Sequence, residues 1–270
     1  MKVINKESNE IQKIIALKTN RNKRHKYKEF VVEGRIALNE VCKKNWRIKS
    51  LFYNKDQAHS LWAQQYIDSA QCENRYAVSN QIMEKITDKT DPSELITVVK
   101  QPHRSFDSYE PSSGDVIVVL DEPKSPGNLG MMIRSAAAFQ ASALLISGHG
   151  ADEYDPQCIR ASVGTFFTLP IYRVDGIRHF AEKIDALKNK FSISIIASGD
   201  KGTSSLEQGN FQAEIVYLIL GNETVGVSAG YQQIADQFIH IPLHGEFTSL
   251  NIAAAGSILL YEIFRKRSNF

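Results

Sequence analysis

The sequence predicts a two-domain α/β chain, and three features carry that expectation. Short apolar runs alternate with helix-period segments along most of its 270 residues. A stretch with two prolines and a serine cluster, QPHRSFDSYEPSSGD (101–115), interrupts this rhythm once. Beyond it the strand candidates are unbroken apolar runs, as expected of a mostly parallel sheet with helices on both faces. A chain this long, 43% hydrophobic, can bury two cores.

Taken in order, residues 9–18 and 36–44 have apolar positions at helical spacing. IKSLFY (48–53), RYAV (75–78) and LITVVK (95–100) read as strands, with helices near 57–69 and 79–87 between them. These elements form a smaller N-terminal α/β domain over 1–105, followed by a linker at 106–112. The second domain, 113–270, opens with the strand VIVVL (116–120), a loop entering a helix at GNLGMMIRSAAAFQ, and the strand ALLI (143–146). A helix near 176–190, the strands ISIIAS (193–198) and IVYLIL (215–220), and a final helix from about Asn251 to Lys266 complete it.

No run approaches the roughly 18 apolar residues of a membrane span, and the N-terminus lacks a signal-peptide stretch, so a cytosolic protein is expected. Cys42, Cys72 and Cys158 are too few and too scattered for a disulfide framework or a CxxC metal site. Charge is uneven. The first fifty residues hold fourteen Lys and Arg against five Glu, leaving 18 basic against 25 acidic residues in the rest. The densest part, around Arg21, Lys23, Arg24 and Lys26, suits phosphate contacts or a solvated charge run, and composition alone leaves both open.

Three loops could carry chemistry. DEPKSPGNLGMMIRSAAAF (121–139) follows a buried strand, so it lies at the sheet's carboxyl edge, where open α/β sheets bind ligands. It holds Asn128, a functional residue or a helix cap, and Arg134, a functional residue or a surface ion-pair partner. It lacks G-x-G-x-x-G and the P-loop pattern, which disfavours a dinucleotide or an NTP. The second loop, Gly221-Asn222-Glu223 with Gly226, ends an apolar strand and combines close backbone approach with hydrogen-bonding groups. The third, IPLHGEFTSLN, puts Ser249 and Asn251 at the start of the last helix, where Ser249 could act as cap. No zinc spacing and no nucleophile elbow is found.

Together and in this order, PGNLGMMIRSAAAF, LGNETVGVS and IPLHGEFTSLNIAAAGSILLYE resemble the SpoU (TrmH) family of RNA 2′-O-ribose methyltransferases in the SPOUT superfamily, supported by ADEYDPQCIRASVG. NRNKRHKYKEFVVEG and the SPGNLG form of the first loop look most like the avilamycin-resistance type of 23S rRNA methyltransferase. The N-terminal part, 1–105, with IIALKTNRNKRHKYKEFVVEG (14–34), is similar to an L30e-like RNA-binding domain.

The resemblance implies a C-terminal trefoil knot, S-adenosylmethionine as cofactor, a homodimer, and RNA rather than DNA as partner, with one nucleotide of 23S rRNA as target. It implies a cofactor pocket from Ser198, Leu220, Gly221, Asn222, Gly226, Ile241, Leu243, Ser249, Leu250 and Asn251. It places Arg134, Asn128, Glu223, Ser249 and Asn251 on catalytic positions, and makes Arg21, Lys23, Arg24 and Lys26 RNA contacts. Ile252-Ala253 departs from the more usual Val-Ser or Val-Ala without touching these positions. A tRNA ribose methyltransferase, which shares the three motifs, and a non-catalytic ribosome-assembly factor are the alternatives.

Overall fold

A computed structural model describes residues 2–87, 92–245 and 249–267. Packing divides the chain into two units, residues 1–102 with 152–168 and residues 103–151 with 169–270.

The first unit is built on a five-stranded mixed sheet in the order β1-β4-β3-β5-β2. Its elements run β1 (Lys2–Ile4), α1 (Asn9–Thr19), α2 (Arg21–Tyr27), β2 (Glu29–Glu33), α3 (Arg35–Lys43), β3 (Ile48–Asn54), α4 (Leu61–Ser69), β4 (Cys72–Val78), α5 (Asn80–Ile86) and β5 (Leu95–Lys100). The helix-period residues Ile11, Ile14 and Leu17 of α1 pack with Ile82, Met83 and Ile86 of α5 against Val31, Phe52, Val78, Ile96 and Val98 of the sheet. The basic run at 21–27, read from composition as a charge cluster, is a helix capped by Asn20, whose side chain accepts from the Lys23 amide.

The second unit opens with β6 (Val116–Asp121), α6 (Pro126–Ala138) and β7 (Ala143–Ser147). The chain then makes α7 (Pro156–Ala161) and a 3₁₀ turn at Thr165–Phe167, both within the segment 152–168 that packs in the first unit. Aromatic packing and ion pairing explain this placement. Tyr154, Phe166 and Phe167 gather around Phe30 and Trp46 with ring centroids 4.9–6.4 Å apart. The Arg24 guanidinium, 2% exposed, pairs with Asp152 at 2.6 Å and Asp155 at 3.1 Å.

The second unit resumes with β8 (Ile171–Val174), α8 (Ile177–Lys188), β9 (Ile193–Ser198), β10 (Ser204–Ser205), β11 (Ile215–Leu220), α9 (Ala229–Ile234), β12 (Gln237–His240) and α10 (Ile252–Arg267). Its seven strands are all parallel, in the order β10-β12-β9-β11-β6-β7-β8. Alternate strand residues divide between the two faces. Ile117, Val119, Ile195, Ala197, Tyr217 and Ile219 meet Phe180, Ile184 and Leu187 of α8 and Tyr231 of α9. Burying each of the valine, isoleucine, leucine and phenylalanine side chains here contributes roughly 1.5–3 kcal/mol before entropy is counted. On the other face α10 crosses α6 so closely that a Cβ on Gly256 would run into Met132 and Leu220.

Residues 101–115 are not a free linker. Phe106 is 1% exposed in the second core, and Lys183 Nζ donates to its carbonyl at 2.7 Å. The aromatic Phe106, set among polar and proline residues, outweighs the linker-like composition around it. Among the described residues no helix is long and apolar enough to cross a membrane.

Candidate active site

Parallel pairing brings the carboxyl ends of four strands to one edge. Leu220 of β11 is in register with Leu120 of β6 and Ser198 of β9, and Ser198 with Ile239 of β12. The loops that follow these strands therefore emerge side by side, and they contain most of the residues singled out from the sequence.

The loop after β11 is a tight one. Asn222 and Gly226 exchange backbone hydrogen bonds of 3.0 and 2.9 Å. A Cβ at Gly221 would collide with the Gly226–Val227 peptide, and Gly226 has φ of +74°, so each glycine answers a distinct backbone demand. Asn222 is 7% exposed; its Nδ2 donates to the Glu122 carbonyl at 2.8 Å and its Oδ1 accepts from the Thr224 amide at 2.8 Å. Its side chain and its backbone are thus both occupied in shaping the loop. Buried Asp121, which sequence reasoning did not single out, holds the far end of the loop by accepting from the Ser228 amide at 2.8 Å.

The turn presents Glu223 to the start of α6. Its carboxylate accepts from the Lys124 amide at 3.0 Å, the Ser125 amide at 3.3 Å and Asn128 Nδ2 at 3.0 Å. Partial burial works against ionisation of Glu223, but the hydrogen bonds from Lys124, Asn128, its own backbone and Ser125 outweigh it and hold the carboxyl below its ordinary range. Asn128 is not the helix cap. That role belongs to Ser125, whose Oγ accepts from the Asn128 amide at 3.3 Å with Pro126 at the first helical position. The Ser-Pro pair at 125–126 was the available sequence signal.

Asn251 closes the arrangement. Its Oδ1 accepts from the Ala253 amide at 2.9 Å, making Asn251 rather than Ser249 the cap of α10. That bond turns its Nδ2 outward, where it donates to Asn128 Oδ1 at 3.1 Å. The sense of each amide is fixed by its neighbours, from a helix N–H at one end to a carboxylate at the other. Arg134 lies about 9 Å further along α6, since a helix rises 1.5 Å per residue. It is exposed, and among the described residues nothing hydrogen-bonds or ion-pairs with its guanidinium.

Ser198 and Ile241 are half-buried, while Leu243 and Leu250 are 36% and 40% exposed and Ser249 is exposed. This set of strand-end peptide groups, an apolar rim and a glycine turn that admits close approach fits an adenosyl group. Residues 246–248 of the third loop lie outside the described residues. The RNA-contact expectation divides: Arg21 and Lys26 are exposed and Lys23 half-buried, but Arg24 is spent on Asp152 and Asp155 and cannot reach a phosphate.

Polar loop residues gathered at the carboxyl edge of a parallel sheet, beside the backbone of a glycine turn, make a candidate ligand site of an α/β enzyme. The chain belongs to the SpoU rRNA Methylase family, RNA 2′-O-ribose methyltransferases that use S-adenosylmethionine; residues 115–261 match the family, and residues 8–97 match the MRM3-like substrate binding domain. It is 32% identical over 253 residues to the 23S rRNA (uridine(2479)-2′-O)-methyltransferase of Streptomyces viridochromogenes, covering 93% of this chain and 88% of the relative. It is 26% identical to the 23S rRNA (guanosine(2553)-2′-O)-methyltransferase RlmP of Bacillus subtilis, covering 90% and 91%. The crystal structure of the SpoU methyltransferase AviRb from S. viridochromogenes with AdoMet superposes with a TM-score of 0.91 at 31% identity, covering 97% of this chain and 99% of that one.

Proposed function

We propose that this chain transfers a methyl group from S-adenosylmethionine to the ribose 2′-hydroxyl of a single nucleotide in 23S rRNA. The observation that carries the reading is the continuous relay from Glu223 through Asn128 to Asn251, set where the ends of β9, β11 and β12 form a cradle. Backbone groups of Leu220, Gly221, Gly226, Ile241, Leu243, Ser249 and Leu250, with the strand end at Ser198, would hold the cofactor. Bound there, S-adenosylmethionine supplies an electrophilic methyl carbon.

The protein's own part is positioning. Holding the ribose hydroxyl in near-attack geometry supplies much of the acceleration available to such a displacement. Arg134 donates to the hydroxyl oxygen and stabilises the negative charge that grows on it. A guanidinium, permanently charged at neutral pH, is poorly suited to accept the proton, so the proton passes to solvent. Ser249 and Asn251 shape the ribose side of the pocket, and Asn128 and Glu223 keep Asn251 in place.

The choice of 23S rRNA is supported by two relatives matched over about nine-tenths of this chain, both of which bear that substrate in their names. Arg21, Lys23 and Lys26 of α2 serve as phosphate contacts in this reading. A homodimer in the cytoplasm completes it; the dimer is supported by Met131, Ile258 and Tyr261, which leave 42%, 40% and 53% of their surface exposed on the paired helices α6 and α10. Methyl-labelled S-adenosylmethionine offered with 23S rRNA, 16S rRNA and bulk tRNA in parallel tests the substrate. Label in 23S rRNA supports the reading; label in tRNA alone identifies the rival enzyme, and binding of cofactor without transfer to any RNA favours the assembly factor.

A further inference from the structure

The core of the first unit has a polar end. Most of the sheet face under α1 is apolar, yet two successive rungs of the β3–β4 ladder on that face read Ser50 opposite Asn74 and Phe52 opposite Tyr76. A cavity of about 220 Å³ opens here between the sheet and the first turns of α1. That is far more than the roughly 15 Å³ needed for one water by the same measure.

Its walls have a definite chemistry. Phe52 and Tyr76 stack with ring centroids 4.7 Å apart and planes 18° from parallel. Ser50 and Tyr76 are 8% and 6% exposed, so each is more than nine-tenths buried, and both line the cavity. Among the described residues neither hydroxyl has a hydrogen-bond partner, and nor does the Asn74 side-chain amide beside them. Ser50 and Tyr76 are buried as residues and Asn74 half-buried, and the polar atoms of all three are left to the cavity by the protein, so a ligand seated there can meet them. Burial, and then the nearby Glu10 carboxylate, raise the Tyr76 phenol above its ordinary value.

The charges at the rim disfavour an anion as the primary ligand, since Glu10 and Glu29 also line it. Lys13 pairs with Glu29 at 2.5 Å and Lys49 pairs with Glu73, so both lysines are already neutralised. Between the charged rim residues Glu10, Lys13, Glu29 and Lys49 lies an uncharged floor of hydrogen-bonding groups beside aromatic rings. Unpaired bases of RNA are recognised by such sites, through stacking and contacts to their polar edges.

We propose that this cavity is a subsite for one unpaired nucleobase of the RNA, read by Ser50, Asn74 and Tyr76. The proposal rests on the reading of the chain as an RNA-directed enzyme, but it concerns a site separate from the methyl-transfer chemistry. The four RNA homotetramers of A, C, G and U would be titrated into the full-length protein, following the Tyr76 and Asn74 signals by NMR. The expected result is saturable binding of at least one tetramer, weakened about tenfold in a protein carrying Tyr76→Phe, which removes only the hydroxyl, and Asn74→Ala, which removes the half-buried amide. Cofactor affinity and melting temperature should stay at wild-type values in that protein. Failure of every tetramer to shift these signals, or unchanged affinity in the double variant, would overturn the proposal. Base binding without methyl transfer to any RNA would instead leave the subsite standing and count against the assigned reaction.

Discussion

Asn251 donates to Asn128 at 3.1 Å across 123 positions of sequence, and the same Asn251 side chain caps the last helix through the Ala253 amide. One residue thus ties the stability of α10 to the placement of polar groups beside the cofactor cradle.

Two substitutions separate those roles. Asn251→Ala loses the cap and should cost about 1 kcal/mol. For a domain of this size that is a fall of roughly 2–4 °C in melting temperature. Asn251→Asp keeps an oxygen for the Ala253 amide but has no donor for Asn128. It should melt near the wild type while losing methyl-transfer rate by about tenfold, the cost of one positioning hydrogen bond. Equal melting losses in both variants would remove Asn251 from the capping role.

Glu223 should make stability depend on pH in a set direction. Its carboxyl is held below the ordinary range in the folded protein by the bonds from Lys124, Asn128 and Ser125 that overcome its partial burial. A lowered folded value contributes stability above the unfolded value, and this contribution is lost as pH falls through the folded one. The stability difference between wild type and Glu223→Gln should therefore be constant at neutral pH and shrink on acidification below the usual carboxylate range. Chemical denaturation from pH 7 to pH 3 reads it.

The two loop glycines should respond differently to alanine. At Gly221 the new Cβ meets the Gly226–Val227 peptide, so the loop must move and cofactor affinity should fall at least about tenfold, as expected for overpacking against backbone. At Gly226 nothing lies within 4 Å, and the only penalty is the positive φ of +74°, about 1–2 kcal/mol of stability. Calorimetric titration with S-adenosylmethionine and thermal melts separate the two outcomes.

Arg24 and its neighbours on α2 should divide the same way between stability and RNA affinity. Arg24→Met strands the Asp152 carboxylate, 4% exposed, and should destabilise by about 3–5 kcal/mol. Lys26→Ala should leave stability within about 0.5 kcal/mol. It should also lower the slope of RNA affinity against salt by about one unit. Filter binding across a salt series, with denaturation of the same proteins, measures both.

The strands of the second unit were legible because burial on both faces writes them as unbroken apolar runs: 193–198 and 215–220 fall on β9 and β11 residue for residue. The short strands β8 and β12, four residues each, leave too little pattern to separate from a loop. The three ligand loops were legible from their polar residues at strand ends. Their wiring was not, because Glu223, Asn128 and Asn251 meet across 95 and 123 positions. Arg24 misled for the same reason. Its sequence neighbours are basic, while the carboxylates that bury it lie 128 and 131 positions away.

The position of the transferred methyl group tests the central claim most directly. Labelled 23S rRNA from the reaction would be hydrolysed in alkali, which leaves only 2′-O-methylated linkages intact, and the resistant dinucleotide mapped. The account predicts label in one resistant dinucleotide from a single position, abolished by Arg134→Ala. Label that alkali releases with ordinary mononucleotides would place the methyl on a base, and would contradict the ribose chemistry assigned to this site.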